Sequence, residues 1–270
     1  MKYRLLISLL LIFNIGAWWH IWQASQQETA LYFLNVGQGD SQLIQLDDVQ
    51  ILIDGGPDAA VLRSLEKIMT PADRYIDLVI LTHPQLDHFG GLIDVLKRYA
   101  VGKFIDNGRE GTAKAYRDLP KADLQLVEGD KIKYKDFEIK ILSPSPDNLK
   151  SKELNDTSIV ALLETPNFKV LYTGDAGENI EEQIRKKYKI KADVLKVGHH
   201  GSRFSSSENF LKEARPKVAV IEVGKNSYGH PHPHAINRLE KYGAQIYTTL
   251  SDGIVKIVPE DNQLKVFKEK

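Results

Sequence analysis

Two histidines, one aspartate and one glutamine stand within six residues of one another, at His83, Gln85, Asp87 and His88. They follow the apolar, β-type run 75–81 and precede a helix-like segment, so they lie in a strand-to-helix loop. Imidazole, carboxylate and amide oxygen all donate lone pairs to a cation, and side chains that converge in this way can hold a divalent metal ion. The stretch therefore predicts a metal site. A polar turn with hydrogen-bonded histidines is the alternative, since short motifs also arise by chance.

Histidine is concentrated in a few places along the chain. Seven of the eight histidines fall in the segments 83–88, 199–200 and 230–234. Each segment follows an apolar β-type run, and α/β proteins place their sites at the carboxyl ends of strands. The clustering favours the metal interpretation over scattered core histidines. The eighth, His20, lies in an apolar N-terminal run, and we interpret it as an interfacial or tolerated polar residue.

The predicted elements repeat one order: strand, acidic turn, helix, strand and histidine loop. The first half has the strand 49–53 and Asp54, and the second half has the strand 169–173 and Asp175. Two such halves can stack their sheets face to face and bring both histidine loops to one edge, which predicts a four-layer α/β/β/α sandwich. The predicted strands are 31–36, 41–46, 49–53, 75–81, 101–106, 124–127, 131–134, 137–142, 158–164, 169–173, 192–197, 217–223, 245–250 and 253–258, and the predicted helices are 59–69, 92–99, 112–118, 178–187, 207–213 and 235–242.

The composition excludes several kinds of site. The 270 residues include no cysteine, so a thiolate metal site, a cysteine nucleophile and a disulfide partner are all ruled out for this sequence. The formal net charge is zero, whereas a protein that coats nucleic acid is usually basic. Any contact with nucleic acid should therefore be local.

The N-terminus carries a membrane signal. Lys2 and Arg4 precede the apolar run 5–22, which has roughly the 20 residues that a membrane-spanning helix needs. Basic residues before the run favour a cytoplasmic N-terminus and place the bulk of the chain outside. We expect an uncleaved anchor at 1–27 and one domain at 28–270. A cleaved signal peptide, followed by secretion, is the main alternative, and a buried helix of a soluble protein is the third.

Further motifs occur in a fixed order along the domain. They are FLNVGQGD at 33–40, LNDTS at 154–158, LKVGHHGS at 195–202 and NSYGHPHP at 226–233. Together with the histidine-rich stretch 83–88, they resemble the metallo-β-lactamase superfamily. Within it they are most similar to the hydrolase domain of the competence protein ComEC and its stand-alone relatives. The resemblance covers about 31–258 and implies the four-layer fold.

The resemblance also implies two metal positions. The residues that match the family's second position are Asp87, His88, His199 and the bridging Asp175. The first position keeps His83 and shares Asp175, beside the amide oxygens of Gln85 and Asn155. Asp54 resembles the family's structural aspartate beneath the site.

This sequence departs from the family at two of those positions. Gln85 and Asn155 stand where the general signature has histidine. Neutral amide oxygens suit Mn²⁺ or Mg²⁺ better than Zn²⁺. We therefore expect one well-held divalent ion, Mn²⁺ or Zn²⁺ with Mg²⁺ as a further candidate, and one weak or substrate-assisted ion.

The implied chemistry is hydrolysis. A bound divalent ion lowers the pKa of a coordinated water, sometimes to about 7, and Asp87 or Asp175 can orient that water. His200, Ser202 and Ser206 are candidate donors to a substrate phosphate, and His230 is a candidate acid for the leaving oxygen. Supporting or packing roles are the alternative for His200 and for the histidines at 232 and 234.

The resemblance points to a membrane-anchored, extracytoplasmic phosphodiesterase or nuclease acting on DNA, in one version beside a DNA-uptake channel. Hydrolysis of a lactone, ester or β-lactam at the same site is a second hypothesis. A non-catalytic surface binding module with a degenerate metal site is a third.

Overall fold

The computed structural model describes residues 7–8, 10–16, 18–19, 29–260 and 263–270. Most of the predicted anchor at 1–27, including His20, lies outside these residues. Where the structure describes the chain, no helix combines the length and the apolar character needed to cross a membrane. The anchor and the domain boundary at 28 stay predictions.

The described strands alternate with helices along most of the chain. In chain order they are β1 Ala30–Phe33, β2 Gln42–Leu46, β3 Val49–Ile53, β4 Tyr75–Ile80, β5 Ala100–Asp106, β6 Leu124–Gln125, β7 Lys131–Tyr134, β8 Phe137–Ser143, β9 Val160–Glu164, β10 Lys169–Tyr172, β11 Val194–Lys196, β12 Val218–Ile221, β13 Gln245–Thr248, β14 Val255–Glu260 and β15 Gln263–Lys268. The α-helices among residues 29–260 are α1 Ala60–Ile68, α2 Leu86–Phe89, α3 Leu92–Arg98, α4 Glu178–Lys187, α5 Glu208–Ala214, α6 Pro233–Lys241 and α7 Thr249–Asp252.

The strands form two mixed sheets. The first has the order β15-β14-β1-β2-β3-β4-β5-β6, and the second has the order β13-β12-β11-β10-β9-β8-β7. Apolar side chains from both sheets pack between them; for example, the Phe33 and Tyr172 rings stack with centroids 6.4 Å apart. The outer face of each sheet packs against helices through a core of its own. The predicted α/β/β/α sandwich is confirmed.

The repeated order of elements explains how the histidine loops meet. β3 and β4 run parallel in one sheet, and β10 and β11 run parallel in the other. Asp54 and His83 follow the carboxyl ends of the first pair, and Asp175 and His199 follow those of the second. Because the two sheets are stacked, both loops reach the same edge of the sandwich.

Several short elements differ from the sequence prediction. The helix expected at 112–118 is a 3₁₀ helix at Lys114–Asp118, the helix α2 was not predicted, and the helix α7 at Thr249–Asp252 begins inside the strand expected at 245–250. The strand β15 was also missed, although Leu264 and Val266 alternate with polar residues and pack on the central core. Lys265, Lys268 and Lys270 make this segment polar overall, which weakens the apolar period of two that marks a strand.

Candidate metal centre

Asp54 lies beneath the histidine loop and orients it. Its carboxylate accepts hydrogen bonds from the Thr82 backbone N–H at 2.8 Å and from the Thr82 hydroxyl at 2.7 Å. The same carboxylate lies 2.7 Å from Nδ1 of His88. A carboxylate at this distance holds the ring proton on Nδ1, so that Nε2 presents its lone pair to the site. Asp54 therefore occupies the supporting position that the resemblance implied.

Side chains from both sheets converge at the edge of the sandwich. Potential ligand atoms of His83, His88 and Asp175 all lie within 4.8 Å of one another, and the same holds for Asp87, His88 and His200. The His88 Nε2 atom is 3.5 Å from the Asp175 carboxylate. α2 carries Asp87 and His88, whereas Asp175 follows β10 in the other sheet. The cluster thus forms only when the two halves pack together.

The paired histidines after β11 occupy different places. His200 is buried, and its Nε2 lies 3.3 Å from Asp87 and 3.6 Å from Asp175. Its Nδ1 lies 2.9 Å from the backbone carbonyl oxygen of Glu222, which fixes the ring in the way that metal-ligating histidines are usually fixed. His199 is one-third exposed, and its Nε2 lies 4.0 Å from Asp175. The geometry places His200, rather than the predicted ligand His199, among the convergent atoms.

Gln85 and Asn155, the two amides predicted for the first metal position, lie beside different histidines. Gln85 Oε1 lies 3.2 Å from Nε2 of His83, and Asn155 Nδ2 lies 3.3 Å from Nε2 of His199. Both amides line the cavity at this edge. His199 therefore lies beside Asn155, a residue predicted for the first position rather than the second.

Unsatisfied polar atoms indicate that the cluster fits a cation. Among the described residues, buried atoms without a hydrogen-bond partner include His88 Nε2, Asp175 Oδ1 and Asn155 Oδ1. Buried polar atoms are nearly always paired, so orphans gathered around one point need an explanation. All three are lone-pair donors of the kinds that bind divalent metals. Their identity and placement fit the predicted ion.

The ionisation states also suit a metal. Burial and the neighbouring His88 lower the pKa of His83 to about 3. Burial lowers the pKa of His200, but Asp175 and Asp40 raise it more, to about 10. Burial raises the pKa of Asp87, yet a hydrogen bond with His200 brings it to about 2. Burial raises the pKa of Asp175, but His200 and His88 hold it well below its usual range. Asp87 and Asp175 are thus ionised at neutral pH, and a bound cation would take the place of protons on imidazole.

A second layer of buried charges was missed by the sequence prediction. Lys196 forms an ion pair with Asp40 and lies 3.9 Å from Asp175 Oδ1, and its ammonium donates to the Gly174 carbonyl oxygen at 2.8 Å. Glu222 accepts a hydrogen bond from the Ser41 backbone N–H at 2.9 Å. Lys196 and Glu222 each stand between apolar residues, in VLKV at 194–197 and VIEV at 220–223, which is the signal that could have revealed them.

Asp40 reaches the cluster because the loop before it is closely packed. Gly39 has a φ of +153°, and a Cβ there would stand 2.4 Å from the Asp87 carbonyl oxygen. The Asp40 backbone N–H donates to that same oxygen at 3.1 Å. The backbone at position 39 lies so close to Asp87 that only glycine fits there. This contact holds the first loop of the domain against α2.

Two predicted substrate contacts lie in the interior instead. Ser202 and Ser206 are buried, and neither is among the residues that line the cavity. The backbone N–H groups of Ser206 and Ser207 donate to the Glu181 carboxylate of α4. This geometry does not bring the two serines to a bound phosphate.

An open cavity of about 530 Å³ gives access to the cluster. Asp87, Asp175 and His200 lie in its wall, together with His230. Burial and the neighbouring His199 lower the pKa of His230 to about 4. His230 is therefore neutral at pH 7, which weighs against its predicted role as a proton donor there and suits a role as hydrogen-bond partner or proton acceptor.

The sandwich, the histidine–aspartate cluster and the supporting aspartate define a metal-binding protein of the hydrolase type. The profile of the metallo-beta-lactamase superfamily matches residues 34–224. The chain belongs to this superfamily of metal-dependent hydrolases.

The chain is similar to Competence protein ComA of Neisseria gonorrhoeae, at 31% identity over 86% of this chain and 32% of that protein. The chain is 30% identical to ComE operon protein 3 of Bacillus subtilis, over 87% of this chain and 34% of that protein. It is 34% identical to Recombination protein 2 of Haemophilus influenzae, over 83% of this chain and 28% of that protein. The chain thus spans about a third of the length of the curated relatives it matches. These similarities confirm the predicted resemblance to the ComEC-like hydrolase domain.

Solved structures support the fold. The metallo-beta-lactamase fold protein YhfI from Bacillus subtilis superposes with a TM-score of 0.57 at 15% identity, covering 85% of this chain and all of that one. The metallo hydrolase Igni18 from Ignicoccus hospitalis superposes with a TM-score of 0.54 at 19% identity, covering 84% and 98% of the two chains.

Proposed function

We propose that the chain is a metal-dependent phosphodiesterase that cleaves DNA. The observation that carries the proposal is the convergence of Asp87, His88, Asp175 and His200 beside an open cavity. The name of one relative, Competence protein ComA, supports DNA as substrate, because competence is the uptake of DNA. The near-zero net charge is compatible with a local contact at the cavity.

Each of these residues has a separate role in hydrolysis. A divalent ion held by the cluster would supply Lewis acidity to a phosphate oxygen and acidify water. Asp87 is ionised and lines the cavity, so it can accept a hydrogen bond from the attacking water and orient it. Asp54 keeps His88 in the tautomer that offers Nε2, and Lys196 offsets the negative charge gathered around Asp175.

We also propose that the domain works outside the cytoplasm, held by the segment 1–27. Lys2 and Arg4 ahead of an apolar run support this orientation. Protease treatment of intact cells and of spheroplasts that carry a C-terminally tagged chain tests it. Degradation of the tag only after lysis of the inner membrane would contradict the orientation, and a tag released into the medium would favour a cleaved signal.

A nuclease assay tests the activity. The full-length chain is stripped of metal with a chelator, and Mn²⁺, Mg²⁺ or Zn²⁺ is restored separately while the cleavage of labelled single- and double-stranded DNA is followed. We expect cleavage that depends on metal and is lost in His88→Ala, with His234→Ala as the matched surface control. Metal binding without cleavage would point to a small-molecule hydrolase, and failure to bind metal would leave a binding module.

A further inference from the structure

Tyr228 is exposed to solvent, so its aromatic side chain contributes little to the stability of the fold. It stands at the mouth of the cavity, in the loop between β12 and α6, with 74% of its surface open to solvent. The hydrophobic stabilisation of a side chain scales with the apolar area it buries, so folding does not account for an aromatic residue here. Tyr228 also lines the cavity that leads to the cluster, and aromatic side chains are common in the lining of ligand sites.

The loop that carries Tyr228 is tied down by one amide side chain. Asn226 Oδ1 accepts hydrogen bonds from the backbone N–H groups of Tyr228 and His230, at 3.0 Å and 3.1 Å. Asn226 Nδ2 donates to the carbonyl oxygens of Gly224 and His230, at 2.9 Å and 2.8 Å. Four hydrogen bonds from a single side chain hold the loop in one shape. The aromatic ring is therefore presented from a preorganised support.

A series of rings leads from Tyr228 to the metal cluster. The Tyr228 and His230 ring centroids are 6.0 Å apart, and those of His230 and His199 are 5.5 Å apart. His199 Nε2 in turn lies 4.0 Å from the Asp175 carboxylate. A planar group resting on Tyr228 would thus stand at the outer end of a path that ends at the cluster.

Apolar side chains also line the cavity. They include Pro57 and Leu86, and Leu86 is 48% exposed. A cavity that holds an aromatic ring, apolar side chains and a candidate cation site near Asp87 suits a flat, partly apolar group joined to a phosphate. A nucleotide has both parts in one molecule.

We propose that Tyr228 is a stacking platform for an unpaired nucleobase whose neighbouring phosphate lies at the metal cluster. This inference rests on the proposed phosphodiesterase function and narrows its substrate to single-stranded nucleic acid. A base inside a duplex is already stacked on its neighbours and cannot lie on the ring without being extruded. Stacking on an aromatic side chain tolerates any base, so the platform selects single strands rather than a sequence.

Equilibrium binding to two matched oligomers tests the platform. One is a fluorescent oligothymidine with hydrolysis-resistant phosphorothioate links, and the other is an abasic oligomer of the same length and linkage. With the full-length chain in Mn²⁺, we expect Tyr228→Ala to weaken binding of the oligothymidine roughly tenfold, the order found when one stacked base loses its aromatic partner. Tyr228→Ala and the unmodified chain should bind the abasic oligomer alike.

Two further variants separate stacking from other effects. Tyr228→Phe keeps the ring and should restore binding of the oligothymidine. Tyr75→Ala removes another half-exposed tyrosine, at the amino end of β4 and so at the opposite edge of the sheet, and should leave both affinities unchanged.

The outcomes distinguish the two proposals. An equal loss of affinity for both oligomers in Tyr228→Ala, or no loss for either, would overturn the stacking platform and leave the phosphodiesterase standing. A chain that binds metal but cleaves and binds no DNA would overturn the phosphodiesterase itself. Cleavage of duplex DNA by the unmodified chain as fast as of single strands would also contradict the platform.

Discussion

Replacing each member of the His199–His200 pair separately will show which histidine holds the tight ion. His200 is buried, and its Nε2 faces both Asp87 and Asp175 at 3.3 Å and 3.6 Å. His199 Nε2 lies 4.0 Å from the Asp175 carboxylate, and the His199 side chain is one-third exposed. We therefore expect His200→Ala to remove a ligand of the tight ion and His199→Ala to spare it.

The expected loss of metal affinity can be scaled from the loss that follows removal of a residue that only supports a ligand. Loss of a residue that merely supports a ligand typically costs 10–100-fold in metal affinity. Loss of a direct ligand should cost at least the upper end of that range, about 100-fold, or about 2.8 kcal/mol. For His199→Ala we expect less than about tenfold at the tight position, with the main loss at the weaker position beside Asn155.

Competition between the protein and a chromophoric chelator for Mn²⁺ and Zn²⁺ measures these affinities. Circular dichroism of each variant checks that the fold is kept, and His234→Ala at the start of α6 is the matched control. A His199→Ala protein that loses the tight ion while His200→Ala keeps it would refute the argument from geometry. It would restore the assignment that the sequence alone suggested.

Three further perturbations test the support of the site and the stability of the domain. Asp54→Asn should lower metal affinity 10–100-fold, because His88 Nδ1 loses its carboxylate partner, as a metal titration would show. Lys196→Met should cost about 3 to 5 kcal/mol in urea unfolding, because it leaves buried carboxylates unpaired, whereas Lys217→Met, at an exposed ion pair, should cost less than about 1 kcal/mol; equal losses would contradict the buried pair. Burial raises the pKa of Glu181 from 4.5 to about 7, so its contribution to stability is present below pH 4.5 and is lost as the pH rises through 7; unfolding curves between pH 4 and pH 8 should show this slope, and a Glu181→Gln variant with an unchanged slope would refute it.

Local patterns were enough to predict most of the fold. The strand Val49–Ile53 and the helix Glu178–Lys187 have the bounds expected from the sequence, because alternation, glycine turns and helical periodicity are encoded over a few residues. The repeated order of strand, acidic turn, helix, strand and histidine loop predicted the sandwich and its functional edge. The short cluster from His83 to His88 predicted the kind of chemistry, since ligand types and spacing are read directly.

Contacts between distant segments decided the rest. Neighbouring residues such as His199 and His200 are equivalent in a sequence, and only the tertiary contact between the loop after β11 and α2 brings one of them to Asp87. The ion pair of Lys196 and Asp40 joins segments more than 150 residues apart, so no local pattern could reveal it. Sequence determined which ligands this protein has, and the tertiary structure decided which of them meet, because the burial and direction of a side chain depend on segments that come together only on folding.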